Sequence, residues 1–171
     1  MYSQRSCSQI CIVLATVLVL SGCSSTYYNA MEKVGIHKRD IMVSRVEKAR
    51  DSQEEAQEQF QSALEQFDSV VSLKETNLKK AYDKLNAEYE DSKAAAEDVS
   101  MRIDKVEEVS EALFEEWEEE LELYQNKELK RSSAAQLRKT KSHYRELLVN
   151  LHRAEDSMAP VLKIFRDNVL F

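Results

Sequence analysis

Two His-x-x-Glu pairs are the residues of this 171-residue chain whose types and spacing could hold a metal ion. His143 precedes Glu146, and His152 precedes Glu155, by three residues each. On a helix this spacing places both side chains on one face, and imidazole and carboxylate groups are ligands for divalent transition metals. A metal centre in a helical bundle also needs inward-facing ligands from the opposite helices, and the central stretch of this chain offers an apolar stripe instead. The sequence therefore predicts no metal and no other cofactor at these pairs.

The densest group of carboxylates surrounds Trp117. It consists of Glu115, Glu116, Glu118, Glu119 and Glu120. Hard cations such as Ca²⁺ take oxygen ligands, but those ligands must converge on one point. Neighbouring residues of a helix point in different directions because the helix has 3.6 residues per turn. A solvated acidic face is therefore favoured over a cation site.

The chain lacks the sequence features of nucleotide binding and of nucleophilic catalysis. A phosphate-binding G-x-x-x-x-G-K loop needs several glycines, and only Gly35 follows residue 22. No Ser has a nearby His and carboxylate in a sharp turn. The net charge of -7 opposes binding to a polyanion. We expect no enzyme, no small-molecule substrate and no nucleic-acid partner.

Residues 1–22 have the three parts of a secretory signal. Arg5 lies near the amino end, an apolar run covers residues 10–20, and small residues follow. The run is shorter than the roughly 20 residues that span a bilayer. The segment at the end of this signal, Leu20-Ser21-Gly22-Cys23, resembles the lipobox of bacterial lipoproteins.

That resemblance implies cleavage before Cys23 and attachment of a diacylglycerol and an N-acyl chain such as palmitate. Each buried CH₂ contributes about 0.8 kcal/mol, so several chains give a stable anchor. Cys7 and Cys11 would be removed with the signal, so the mature chain would form no internal disulfide. Ser24, rather than Asp, after the Cys implies the outer membrane, with the protein facing the periplasm.

An apolar stripe from Leu78 to Tyr124 predicts the helix around which the chain is organised. At steps of four and three it contains Leu78, Tyr82, Leu85, Tyr89, Ser92, Ala96, Val99, Ile103, Val106, Ser110, Leu113, Trp117, Leu121 and Tyr124. A narrow stripe of this period, with charged residues elsewhere, is typical of a coiled-coil helix. Two Gly and one Pro are too few for the turns of a sheet-containing fold. The predicted fold class is all-α.

The predicted domain, residues 38–171, is an elongated antiparallel coiled-coil bundle of three long helices. They span about 39–70, 73–124 and 130–171, and a tether at 23–37 precedes them. Ser72 and Ser133 each begin a capping-box pattern that predicts a helix start. Pro160 predicts a kink or a restart, because it lacks the amide hydrogen.

Basic residues dominate positions 127–145, which follow the acid run. An antiparallel return of the chain would place Glu120 near Arg138, and Glu116 near Lys141 or His143. Complementary charges of this kind select the register between helices more than they add stability. We therefore predict that the acid run pairs within the chain.

Six sequence runs carry a family resemblance. They are EKVGIHKRD at 32–40, ARDSQEEA at 49–56, LNAEYEDS at 85–92, ALFEEWE at 112–118, PVL at 160–162 and FRD at 165–167. With them the chain resembles the domain-of-unknown-function family 2959, bacterial coiled-coil lipoproteins, over nearly all of 28–171. That family has no assigned activity, so no functional residue is carried over. Its members continue past residue 171 into another helix, which implies that this chain is truncated or that its apolar end packs against a partner.

The expected function is that of a lipid-anchored periplasmic protein with a structural or protein-interaction role in the Gram-negative envelope. Its partners would be the membrane, through the anchor, and another protein or a second copy, through the helix seams. The candidate interaction residues are Trp117, Phe165, Leu170 and Phe171. The alternative is a membrane-surface or lipid-binding helical module, which would need a basic or apolar face toward lipid. A metal-binding or enzymatic bundle is the remote alternative.

Overall fold

The computed structural model describes residues 23–72 and 77–170, and these residues form four α-helices. They are α1 (Cys23–Lys33), α2 (Lys38–Ser72), α3 (Leu78–Leu123) and α4 (Lys127–Leu170). No residue in the described ranges lies in a strand, so the predicted all-α class is confirmed. The predicted signal, residues 1–22, lies outside these ranges. The chain divides into two units, residues 1–41 and 42–171.

The first unit contains α1 and the beginning of α2, which are joined by a turn at Gly35. The Ile36 amide donates to the carbonyl oxygen of Met31 at 3.0 Å, and the Gly35 amide donates to that of Glu32 at 2.9 Å. This pair of bonds is a Schellman motif. Gly35 has φ of 84°, a left-handed conformation that glycine adopts without strain. The segment 23–37, predicted as a tether, thus consists mainly of a helix and its C-terminal cap.

Asparagine side chains cap the N-termini of α3 and α4. The Asn77 Oδ1 accepts a hydrogen bond from the Lys80 amide at 3.1 Å. The Asn126 Oδ1 accepts from the amides of Glu128 and Leu129, at 2.8 and 3.1 Å. Such bonds satisfy amides that have no partner within the helix. The predicted helix start at Ser133 is therefore wrong, because Asn126 already caps α4 two turns earlier.

The core of the second unit lies where α2, α3 and α4 meet. Val99 and Ile103 of α3 are fully buried against Ala56 of α2 and Leu151 of α4. Burial of such side chains contributes about 1.5–3 kcal/mol each. A second cluster holds the far end of the α3–α4 hairpin together, around Phe114.

The buried face of α3 follows the predicted stripe through its middle and departs from it toward both ends. Its buried stripe members are Leu85, Ser92, Val99, Ile103, Val106, Ser110 and Leu121. At the N-terminal end Leu78 and Tyr82 are exposed, at 83% and 42%. Near the C-terminal end Phe114 is buried, whereas the predicted Leu113 is only half-buried. The Phe114 ring packs edge-on against Tyr144 of α4, with 5.4 Å between ring centroids, and this contact selects it for the seam.

Alanines at a spacing of seven residues place α2 on the hairpin. Ala49, Ala56 and Ala63 are all buried. The Gln53 side chain donates to the carbonyl oxygen of Leu151 at 3.3 Å, which ties α2 to α4. Nearer its beginning, α2 is tied to α3, since Arg45 donates to the carbonyl oxygen of Lys105 at 2.7 Å.

Helix α4 continues without interruption through Pro160. The predicted restart there is absent. Beyond the proline, the Phe165 ring packs edge-on against Tyr89 of α3 at 5.9 Å. Arg166 also donates to the Asn86 Oδ1 at 3.0 Å and lies over the Tyr89 ring. These contacts hold the last turns against α3, so the amide missing at Pro160 does not end the helix.

Replacement of Ile103 tests the core directly. We expect Ile103→Ala to lower the free energy of unfolding by about 2–5 kcal/mol, because the site loses buried methyl groups and leaves a cavity. Met101→Ala is the matched control on the same helix, since Met101 is 49% exposed. Urea unfolding followed by far-ultraviolet circular dichroism measures both variants. Equal losses for the two variants would contradict the assignment of Ile103 to the core.

Candidate functional site

His152 lies at the centre of a polar cluster between α3 and α4. Its Nε2 is 2.9 Å from a carboxylate oxygen of Glu107 on α3, and its Nδ1 is 2.9 Å from one of Glu155 on α4. The second oxygen of Glu155 accepts a hydrogen bond from the Ser100 hydroxyl on α3. The cluster therefore connects the two helices through the His152 ring and through the hydrogen bond from Ser100 to Glu155.

The two carboxylates favour the protonated form of His152. A neutral imidazole has one N–H donor, whereas the imidazolium has two, one for each carboxylate. The hydrogen bond with Glu107, and then that with Glu155, raises the pKa of His152 above its ordinary value. The hydrogen bond from Ser100 lowers the pKa of Glu155. This arrangement therefore provides a charged bridge between α3 and α4.

Glu107 and Glu155 approach opposite nitrogens of the His152 ring, so the three side chains do not face a common point. His143 and Glu146, the other predicted pair, are both exposed. Within residues 23–72 and 77–170, no group of three or more His, Cys, Asp and Glu side chains is arranged to hold a metal ion. Sequence reasoning paired His152 with Glu155 and missed Glu107. A carboxylate at 107 had no local signal, because its partner lies 45 residues later.

The acid run pairs with the basic part of α4 through partners different from those predicted. Lys141 binds Glu118 at 2.6 Å, and Lys130 binds Glu122 at 3.0 Å. The sequence predicted that Glu116 lies near Lys141 or His143, whereas the ion pair of Lys141 is with Glu118. The Lys141 ammonium lies 5.3 Å from the Phe114 ring centroid, so its side chain crosses this ring before it reaches Glu118. The Lys141 ammonium thus contacts both the Phe114 ring and the Glu118 carboxylate.

Trp117, a candidate interaction residue, lies in the second cluster of the hairpin. It is half-buried and packs against the buried Phe114, Leu121 and Leu137. Its indole N–H donates to the Ser133 hydroxyl at 2.8 Å. The structure thus gives Trp117 a packing role between α3 and α4.

An open groove runs between α2 and α4 on the side away from α3. It consists of two adjoining depressions that share Phe60 and Val161, with volumes of about 500 and 160 Å³. The larger depression has the polar side chains of Arg50, Gln53, Glu54 and Gln57 on its α2 side. The smaller one is apolar, and its lining is completed by Ala63, Leu64, Phe67, Ile164, Phe165 and Asn168.

The remaining candidate interaction residues are Phe165, Leu170 and Phe171. Phe165 is half-buried and lines the apolar depression. Leu170 is 61% exposed. Phe171 lies outside the described residues. Of the residues that line the groove, the sequence therefore predicted only Phe165, and no prediction concerned the α2 side.

A family model described as a protein of unknown function (DUF2959) matches residues 27–171. The chain belongs to this family. The match covers the helices of the second unit and confirms the resemblance carried by the sequence runs. No curated protein and no solved structure matches the chain. Within residues 23–72 and 77–170, no helix is long and apolar enough to cross a membrane.

The His152 bridge predicts a pH-dependent contribution to stability. Because the pKa of His152 is raised in the folded chain, its stabilisation is fully present below the unfolded value of about 6.5 and is lost as pH rises through the folded pKa. We expect the difference in unfolding free energy between the native chain and His152→Gln to decrease as the pH rises through the folded pKa of His152. Urea unfolding at a series of pH values measures it.

Glu107→Gln provides the second variant for this measurement. In that background the carboxylate that raises the pKa of His152 most is absent, so the pH dependence of the His152→Gln effect should be smaller. An effect of His152→Gln that is the same at every pH would contradict the charged bridge. The contribution of this bridge to the free energy of unfolding is small, because the His152 side chain is 42% exposed and solvent screens its interaction with Glu107.

Proposed function

We propose that this member of the DUF2959 family is a lipid-anchored periplasmic protein with a structural or protein-interaction role in the Gram-negative envelope and without catalytic activity. The observation that carries the anchor is the tetrapeptide Leu20-Ser21-Gly22-Cys23. The family match begins at residue 27, four residues after Cys23. A lipid on Cys23 would join the membrane to α1 without an intervening domain.

The engagement of the reactive side chains supports a non-catalytic role. His152 contacts a carboxylate with each ring nitrogen, and Lys141 contacts Glu118. These groups connect helices to one another, and a nucleophile or general base would need a free face toward a substrate.

The open groove between α2 and α4 supports a role in binding another macromolecule. In its apolar half Leu64 and Ile164 are 66% and 62% exposed. Large apolar side chains exposed side by side are typical of surfaces that bind a partner. The expected lipid attachment and the open groove together favour a role as an adaptor or spacer at the membrane.

Replacement of Cys23 tests the anchor. We expect the full chain, expressed in a Gram-negative host supplied with labelled palmitate, to incorporate label and to fractionate with the outer membrane. Cys23→Ser should incorporate none, because the thiol that accepts diacylglycerol is absent. Cys7→Ser and Cys11→Ser are the matched controls, since both residues precede the predicted cleavage site. Label that persists in Cys23→Ser, or that disappears in either control, would reject the predicted attachment site.

A further inference from the structure

The turn between α1 and α2 exposes apolar side chains close to the predicted lipid attachment site. Val34 and Ile36 flank Gly35 in this turn, and they are 70% and 38% exposed. Tyr27, which is 45% exposed, precedes Val34 by seven residues. That spacing is close to two helical turns, so Tyr27 and Val34 lie on one side of α1. These three side chains form the apolar part of a surface within the first unit.

Cations accompany the apolar side chains on this surface. Lys33 ends α1 and Arg39 lies in the first turn of α2, and both are exposed. Glu32 is paired with Lys38 at 2.5 Å, and the Lys38 side chain is only 10% exposed. The Asp40 carboxylate accepts a hydrogen bond from a backbone amide at the beginning of α2. We call Tyr27, Lys33, Val34, Ile36 and Arg39 together the corner surface.

The two units of the chain differ in the sign of their net charge. Residues 23–41 contain three of the Lys and Arg residues and two of the Asp and Glu residues, which gives a net charge of +1. Residues 42–171 contain 20 Lys and Arg residues and 29 Asp and Glu residues, which gives a net charge of -9. An anionic membrane surface would therefore attract the corner surface and repel most of the second unit.

The position of Cys23 keeps the corner surface near the membrane. Cys23 is the first residue of α1, and Lys33 is its last. The ten steps between them span about 15 Å at 1.5 Å per residue. Attraction between Lys33 and a charged surface is screened over about 8 Å at physiological ionic strength, so it favours an α1 that lies along the membrane.

We propose that the corner surface binds the surface of an anionic phospholipid bilayer, with Tyr27, Val34 and Ile36 at the interface and Lys33 and Arg39 near the lipid phosphates. Tyrosine suits this place because its ring is apolar and its hydroxyl is polar. This inference rests on the proposed lipid anchor and adds a contact of the protein itself with the membrane. Five side chains would bind weakly alone, but a lipid on Cys23 makes the contact intramolecular.

Photocrosslinking in vesicles tests the contact in the lipid-modified chain, purified from membranes with detergent. The chain is reconstituted into vesicles of phosphatidylcholine and phosphatidylglycerol, with benzoylphenylalanine in place of Tyr27 or Val34. Leu129, which is 56% exposed and lies in the second unit, is the matched control position. We expect mass spectrometry to find phospholipid adducts at positions 27 and 34 and none at position 129.

Charge reversal tests the contribution of the cations. Lys33→Glu combined with Arg39→Glu should reduce the phospholipid adduct yield at position 34 by about three- to ten-fold, because each reversal replaces attraction to the lipid phosphates with repulsion. Omission of phosphatidylglycerol should reduce the yield of the native chain in the same direction. Arg138→Glu combined with Lys139→Glu makes the same change in net charge on exposed residues of α4 and should leave the yield unchanged. Equal effects of the two double variants would overturn the role of the corner cations.

The outcomes separate this inference from the proposed function. A chain that carries the palmitate label but gives no phospholipid adduct at positions 27 and 34 would overturn the corner contact and leave the anchor standing. Phospholipid adducts of equal yield at position 129, or adducts at positions 27 and 34 with a second copy of the chain instead of lipid, would also overturn it. A chain that carries no palmitate label would reject the anchor and this inference together.

Discussion

The packing of Val99 and Ile103 between Ala56 and Leu151 is the contact on which the rest of the second unit depends. It is the place where α2, α3 and α4 share one apolar core. Because the seam on α3 is narrow, most residues of each helix remain in water, and the helices tolerate a high content of charge. The same narrowness leaves α2 and α4 with apolar side chains, such as Leu64 and Ile164, that no helix of the second unit covers.

Polar contacts determine how the helices are aligned along this seam. Apolar side chains at regular spacing would allow a shift by one heptad at moderate cost, whereas directional bonds would not survive it. Gln53 with Leu151, His152 with Glu107 and Lys141 with Glu118 all join different helices and agree on one alignment. Their individual contributions are small, since several are exposed, but each alternative register would break all of them.

The proposed function combines the lipid anchor at Cys23 with the open groove between α2 and α4. Lipid on Cys23 would hold the chain at a membrane surface, and the helices of the second unit would present the groove to a second protein.

The sequence by itself determined the all-α class, the central part of the α3 stripe, the family and the attraction between the acid run and α4. These follow from composition, from the helical period and from charge, which act within one segment or over long distances without precise geometry. Only the tertiary structure decided that Phe114 rather than Leu113 enters the seam, that Lys141 meets Glu118, and that His152 bridges to Glu107. It also decided that an open groove lies between α2 and α4. These features depend on the rotation and the register of one helix against another, which are set by contacts between residues distant in sequence.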